Sequence, residues 1–326
     1  MEQRRLGRSG LFVSRLGLGA MTWGRDTDET EAAAELTAFV EAGGTLVDTA
    51  DVYADGESER VLGRLLRDVV ARSDVVVATK AGSVPYDRRA RDASRRHLLD
   101  ALDASLGRLG LDHIDLWQVH AWDDATPLDE TLAALDVAVS SGRVRYVGVS
   151  NHRGWQLAKS ATWQAAWPGR AAVVSAQAEY SLLCRATEDE LIPAAVDLGV
   201  GVLPWSPLGR GVLTGKYHTG TPADSRAASP HFADFVRPYL DDRARGIVGS
   251  VITAAEGLGV SPLTVALSWV RDRPGVVAPI VGARTAGQLL GALEAEEVTL
   301  PREIREALDD VSTAAAPAAE RAVEDR

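Results

Sequence analysis

Eight short apolar runs recur along the chain: RLGLG, TLVD, VVVATK, DLWQVH, VRYVGVS, VVSAQ, GVLPW and VVAPIV. They are rich in Val and Leu and lack polar alternation, the pattern of parallel strands buried on both faces. Their C-terminal ends fall at Gly19, Asp48, Lys80, His120, Val149, Gln177, Trp205 and Val281, at spacings of 29, 32, 40, 29, 28, 28 and 76 residues. The first six spacings each fit one strand, one helix and their turns. Amphipathic stretches with helix punctuation lie between and after them, at 28–42, 93–109, 127–141, 154–165, 188–198, 241–257, 262–273, 285–295 and 301–312. The first begins with acidic residues and stops at Gly43 and Gly44; the second repeats Leu98, Leu99, Leu102, Leu106 and Leu109 at helical spacing.

Strand and helix alternating through eight units predict an α/β fold of the (β/α)8 TIM-barrel type rather than an open sheet. No GxGxxG turn follows any strand, which argues against an open dinucleotide-binding sheet. Residues 4–13, split by Gly7 and Gly10, predict a hairpin closing the bottom of the barrel. The long seventh spacing holds a Gly-, Pro- and Ser-rich loop over 209–238, long enough to carry function, and extra helices follow it toward the C-terminus. A length of 326 residues fits one or two domains; the repeat favours one barrel domain over 1–313, with an Ala- and charge-rich tail at 314–326 that frays.

Composition narrows the function. With 46% hydrophobic and 25% charged residues the chain can bury a large core. Its net charge of −11 repels phosphate backbones and anionic lipid, so nucleic acid and membrane are not expected partners. Cys184 is the only cysteine, which rules out an internal disulfide and a cysteine-rich metal site. The start MEQRRLGRSG lacks the apolar core of a signal peptide, and no apolar run approaches the roughly 20 residues that span a bilayer. The expectation is a cytoplasmic protein acting on a small molecule without a metal, and a monomer by default.

Active sites in such barrels sit at the C-terminal strand ends. Asp48 ends TLVD, Tyr53 lies five residues further on, Lys80 ends VVVATK and His120 ends DLWQVH. Lys80 is one of only three lysines, and at the end of a buried strand it needs a partner, for which Asp48 is suited. Each residue taken singly has a structural role open to it as cap, packing or buried polar group; together on successive strands they form a chemical set.

The segments GGTLVDTADVYADGESERVLG, VATK, IDLWQVH, RVRYVGVSN, SAQAEYSLL, LPWSPLGRGVLTGKY and IVGARTAGQL occur in this order, and the chain resembles the aldo-keto reductase superfamily, in the branch of bacterial reductases related to potassium-channel β-subunits. The resemblance implies reduction of small aldehydes or ketones by NADPH, reversible to alcohol oxidation, with Asp48, Tyr53, Lys80 and His120 as catalytic tetrad. A lysine ammonium about 4 Å from the Tyr53 phenol would supply about 4 kcal/mol at an effective dielectric near 20, enough to lower its pKa by about two to three units. Asp48 would keep Lys80 protonated, and His120 would orient the carbonyl oxygen.

The same resemblance implies a cofactor site. Ala20, Met21 and Asp48 lie beside the nicotinamide; Ser150, Asn151 and Gln177 bond its carboxamide, and Trp205 stacks on its ring. Ser206, Pro207, Leu208, Gly209 and Arg210, with Lys216 and Arg226, wrap the pyrophosphate. Gly282, Arg284 and Gln288, at the start of a helix near Thr285, hold the adenosine 2′-phosphate. Gly291 and Ala292 stand where the family has an acidic residue followed by Asn, a departure that bears on adenine recognition. His120 stands where the channel subunits have Asn, which favours an active enzyme. Trp23, Tyr86 and Trp122 follow the first, third and fourth strands and are candidates for an apolar substrate wall. Two other readings compete: a barrel aldolase with Lys80 as Schiff-base nucleophile, and an NADPH-binding regulatory subunit with little turnover.

Overall fold

The computed structural model describes residues 1–84, 90–218, 220–222, 225–229 and 233–313. The chain opens with an antiparallel hairpin pairing Gln3–Arg5 with Phe12–Ser14. Eight parallel strands follow and close into a barrel in sequence order: β1 (Gly17–Gly19), β2 (Leu46–Asp48), β3 (Val76–Ala81), β4 (Ile114–Val119), β5 (Val144–Ser150), β6 (Val173–Glu179), β7 (Gly201–Trp205) and β8 (Ile280–Val281). The runs with no polar alternation are these strands, covered by helices outside and by packed side chains within.

Period-two geometry divides each run between two cores. Val47, Val77, Trp117 and Val147 point outward to Leu36, Leu62, Leu98 and Leu135 of the helical ring. Leu46, Ala78, Leu116 and Leu203 point inward, where Leu6 and Val13 of the hairpin plug the lower end. The hairpin seats through Gly7, whose φ of +57° and lack of a Cβ let it approach within 2.6 Å of the Val174 carbonyl, measured from where a Cβ would stand. Continuing each inward series upward brings Asp48, Lys80, Gln118, Ser150, Gln177 and Trp205 to the top of the barrel. In β6 the register shifts between Val173 and Ser175, so Val174 joins the inner core while Ser175, next to it, reaches Gln118.

The outer helices are α1 (Glu29–Glu41), α2 (Glu57–Asp68), α3 (Arg95–Leu109), α4 (Leu128–Ser140), α5 (Gly154–Ala165) and α6 (Leu191–Leu198). After β7 come α7 (Asp242–Leu258) and α8 (Pro262–Arg271), and after β8, α9 (Ala286–Leu293) and α10 (Arg302–Ser312). Helix α2 was not among the predicted helices, although it carries a buried stripe of Val61, Leu62, Leu65 and Leu66. Side chains cap α1 (Asp28), α3 (Ser94), α7 (Asp241), α8 (Ser261) and α9 (Thr285), and left-handed glycines end α3, α6 and α7. The tail expected to fray, 314–326, lies outside the described residues. Among the described residues no single helix is long and apolar enough to cross a membrane.

Candidate active site

At the top of the barrel Lys80 is fully buried and Asp48 is 3% exposed. Lys80 Nζ donates to Asp48 Oδ2 at 2.6 Å, to the Thr49 carbonyl at 2.9 Å and to the Tyr53 hydroxyl at 3.3 Å. An ammonium has three N–H donors, and all three are committed. Tyr53 is brought there by the backbone: beyond β2 the chain stays hydrogen-bonded along β3, with Thr49 N–H to the Ala78 carbonyl and Asp51 N–H to the Lys80 carbonyl. A tight turn over Tyr53–Gly56 follows, with Ala54 and Asp55 in the left-handed region at φ 49° and 55° and Gly56 at φ 83°. Two non-glycine residues in that region are a strain held by surrounding structure. A Cβ on Gly56 would lie 2.7 Å from Arg108 Cδ, so α2 can follow at once. His120 N–H donates to the Ala81 carbonyl, and its ring meets the Tyr53 ring edge to face, with centroids 5.9 Å apart.

These placements set the charges. Burial lowers the pKa of the Lys80 ammonium, but Asp48 and Tyr53 outweigh it and hold Lys80 above its ordinary value, charged. Burial dominates at Tyr53 too and raises the phenol's pKa, with Lys80 offsetting only part of the effect. The expectation of an acidified phenol is therefore corrected: desolvation, which the two-charge sum left out, wins, and the hydroxyl stays protonated. Burial, and then Lys80, push His120 down to about 3, so its imidazole is neutral.

Asp48, Tyr53 and His120 open into a cavity of about 720 Å³ that also runs past Gly19, Met21 and Thr22, with Lys80 buried behind them. Of the predicted cofactor residues, Met21, Asp48, Ser150, Asn151, Gln177, Trp205, Ser206, Pro207, Leu208, Arg210, Lys216, Gly282, Arg284 and Gln288 line it, as do Gly291 and Ala292. A nicotinamide dinucleotide fits these residues. Ser150 lines the cavity, its Oγ is buried without a partner among the described residues, and at Gly291 an added Cβ would meet nothing within 4 Å. Gln177 Nε2 is committed to Asp48 Oδ1 at 2.8 Å. Asn151, at φ 53°, donates to the His120 carbonyl at 2.9 Å and accepts from Trp205 Nε1 at 3.0 Å, which fixes the indole plane. At the far end two of the first donors of α9 are used: Gln288 N–H donates to Thr285 Oγ1 and Ala286 N–H to Glu31 Oε2. Arg284 and Gly287 line the cavity at this end.

Several predicted residues lie elsewhere. Ala20 and Gly209 are buried beneath the cavity; the Ala20 peptide binds the Asp48 carbonyl and Ser58 Oγ. Trp23 is not on a substrate wall: the loop after β1 turns back into the core, where the fully buried indole donates to Glu35 Oε2 at 2.8 Å. Trp122 packs edge-on against His152 and Trp155 and donates to Asp124, and is not among the residues that line the cavity. Tyr86 and the Arg226 side chain lie outside the described residues. Sequence reasoning missed Thr22, Phe235, Ser261, Leu263 and Glu294 in the lining, the Thr49 carbonyl under Lys80, and Glu179, which ends β6 and was findable by the strand-end rule. Among the described residues no cluster of three or more His, Cys, Asp or Glu could hold a metal.

The top of the eight-stranded parallel barrel thus carries a buried Asp–Lys–Tyr cluster beside a neutral His. The sequence model of the Aldo/keto reductase family matches residues 15–313, and the chain belongs to that family. It is 38% identical to the uncharacterized oxidoreductase YrpG of Bacillus subtilis (strain 168), over 95% of this chain and 96% of the relative. It is also 38% identical to a probable voltage-gated potassium channel subunit beta of Oryza sativa subsp. japonica, over 91% and 92%. A versiconal hemiacetal acetate reductase of Aspergillus parasiticus is 33% identical, over 94% and 95%.

Proposed function

We propose that the protein is an NADPH-dependent reductase of small aldehydes and ketones, reversible to alcohol oxidation, with Tyr53 as general acid. The observation that carries this is the spent ammonium of Lys80: its third N–H goes to the Tyr53 oxygen, so the phenol's own proton is directed elsewhere, and the ring lines the cavity. The nicotinamide dinucleotide, when bound, supplies the hydride. Tyr53 gives its proton to the carbonyl oxygen as charge develops there, and the phenolate left behind is stabilised by Lys80. Asp48 keeps the lysine charged throughout. Neutral His120 donates a hydrogen bond to the same oxygen and orients it. In the oxidative direction the same groups act in reverse, with the phenolate as base.

Met21, Ser150, Asn151, Gln177 and Trp205 would hold the nicotinamide end of the cofactor, Ser206, Pro207, Leu208 and Lys216 its pyrophosphate, and Gly282, Arg284 and Gln288 its adenosine 2′-phosphate. The aldolase alternative needs a neutral amine, whereas Lys80 is held charged; borohydride with a carbonyl substrate and no cofactor should leave the protein mass unchanged. The name of the rice relative favours a second reading, an NADPH-binding subunit with little turnover. Following NADPH absorbance against a panel of aldehydes, ketones and sugars separates them: turnover supports the enzyme, and tight binding with no turnover across the panel supports the subunit. The half-buried, unpaired Cys184 fits a reducing compartment such as the cytoplasm. A monomer remains the working state.

A further inference from the structure

Arg210, expected at the cofactor pyrophosphate, has its guanidinium committed elsewhere. Its Nε and Nη2 donate to Glu179 Oε1 and Oε2, both at 2.8 Å, and its Nη1 donates to the Phe235 carbonyl. The guanidinium carbon lies 3.9 Å from the centre of the Phe235 ring, 4.8 Å from that of Tyr239 and 5.9 Å from that of Trp205. Tyr239 in turn donates to Glu179 Oε1 at 3.0 Å. The two charged side chains are 14% and 16% exposed, so this is a neutralised cation in a box of aromatic faces.

Phe235 needs such a support. It lies in the long segment after β7, on a single helical turn (Ala233–Val236) too short to fix its own orientation. Arg210 grips both its carbonyl and its ring, and buried Val236 anchors the next position. As a result the Phe235 ring lies 18° from the plane of the Trp205 indole, with centroids 6.4 Å apart, on the wall of the cavity that holds Tyr53 and His120. Trp205 is itself tied through Asn151 to the His120 carbonyl, so the aromatic wall and the tetrad share one hydrogen-bonded frame.

We propose that Phe235 is a specificity-determining wall for the side group of the carbonyl substrate, and that Arg210, held by Glu179, is the positioning residue that fixes it. The substrate class this selects is a carbonyl bearing a flat, uncharged, apolar group. Aromatic faces reward contact with such a group. Among the described residues at this wall, the Lys80 donors are spent and Arg210 is neutralised by its bidentate carboxylate, so neither offers a charge to an acidic group. This inference rests on the carbonyl-reductase reading.

The test is steady-state kinetics with NADPH on benzaldehyde, propanal and glyoxylate, alongside thermal unfolding and NADPH titration of each variant. Phe235→Ala should lower kcat/KM for benzaldehyde about ten- to hundredfold, mainly through KM, and leave propanal, unfolding temperature and NADPH affinity nearly unchanged. Phe235→Tyr should restore most of the loss. Arg210→Met should fall in the same direction, and Glu179→Gln, which leaves the guanidinium unneutralised, should raise glyoxylate use relative to benzaldehyde. Equal losses on benzaldehyde and propanal in Phe235→Ala overturn the proposal. So does weakened NADPH binding in Arg210→Met, which would return that residue to the pyrophosphate. Should the wild type turn over no aldehyde, the reductase reading fails instead. The wall is then tested by saturation-transfer NMR of benzaldehyde on the NADP+ complex, where Phe235→Ala must abolish the ring contacts if the proposal is right.

Discussion

Replacing Lys80 with Met keeps the length of the side chain and removes its charge. Asp48 then retains the hydrogen bond from Gln177 but loses the 2.6 Å ion pair, and a carboxylate only 3% exposed is left without a counter-charge. Breaking one side of a buried pair costs about 3–5 kcal/mol. With an unfolding entropy of about 2.1 cal/mol/K per residue, a chain of this size should unfold roughly 4–7 °C lower. Asp48→Asn removes the orphaned charge, so the double variant should be more stable than Lys80→Met alone. The chemical effect is larger than the structural one. A full charge 3.3 Å from a developing phenolate contributes about 5 kcal/mol at an effective dielectric near 20, so kcat should fall by about a thousandfold or more while NADPH affinity holds. Thermal unfolding of the four proteins of the cycle, with kcat and cofactor titration, checks both parts. A Lys80→Met protein as stable as wild type, or a double variant less stable than the single, would refute the reasoning.

Three further expectations follow from the buried groups. His120, held at about 3 by burial and by Lys80, should show no imidazole titration by NMR between about pH 5 and 8; a midpoint near its ordinary value contradicts the placement. Glu35 is raised to about 7 by burial, against a hydrogen bond from Trp23 and with Glu31 adding to the rise. A carboxyl raised in the folded state adds stability below its ordinary pKa and loses it as pH climbs through the raised one, here between about 4.5 and 7. Glu35→Gln keeps an acceptor for Trp23, so it should match wild type in urea unfolding at low pH and exceed it by about 3 kcal/mol at pH 8; no gain at pH 8 counts against a buried, desolvated carboxyl. Arg284→Ala should weaken NADPH by about 10- to 150-fold and leave NADH nearly unchanged, because the proposed guanidinium contact is to the 2′-phosphate that NADH lacks. Equal weakening of both cofactors would remove Arg284 from the 2′-phosphate.

The barrel was legible because a buried parallel strand and its helix leave a recurrent signature, and the eight predicted strand ends fall within a residue or two of those observed. The grouping of Asp48 with Lys80 was legible for the same reason: period-two geometry carries both to the top of the same interior whose lower layer holds Leu46 and Ala78. Other features depend on contacts between distant segments, which no local pattern encodes. Trp23 reads as a loop aromatic until Glu35, twelve residues on, proves to be its buried partner. Arg210 reads as a phosphate ligand, and only the fold brings Glu179 and Phe235 to its guanidinium. Phe235 sits in a loop without periodicity, and the raised pKa of Tyr53 depends on how completely the fold desolvates the phenol, a quantity absent from any spacing.

The central claim is that Tyr53 donates the proton, and Tyr53→Phe tests it most directly because the ring and its packing survive while the hydroxyl is lost. Measured as kcat for aldehyde reduction together with the dissociation constant of NADPH, the variant should lose at least about 10²–10⁴-fold in kcat and little in cofactor affinity. A Tyr53→Phe protein that binds NADPH normally and reduces aldehydes at close to the wild-type rate would contradict the account and pass the role of acid to His120.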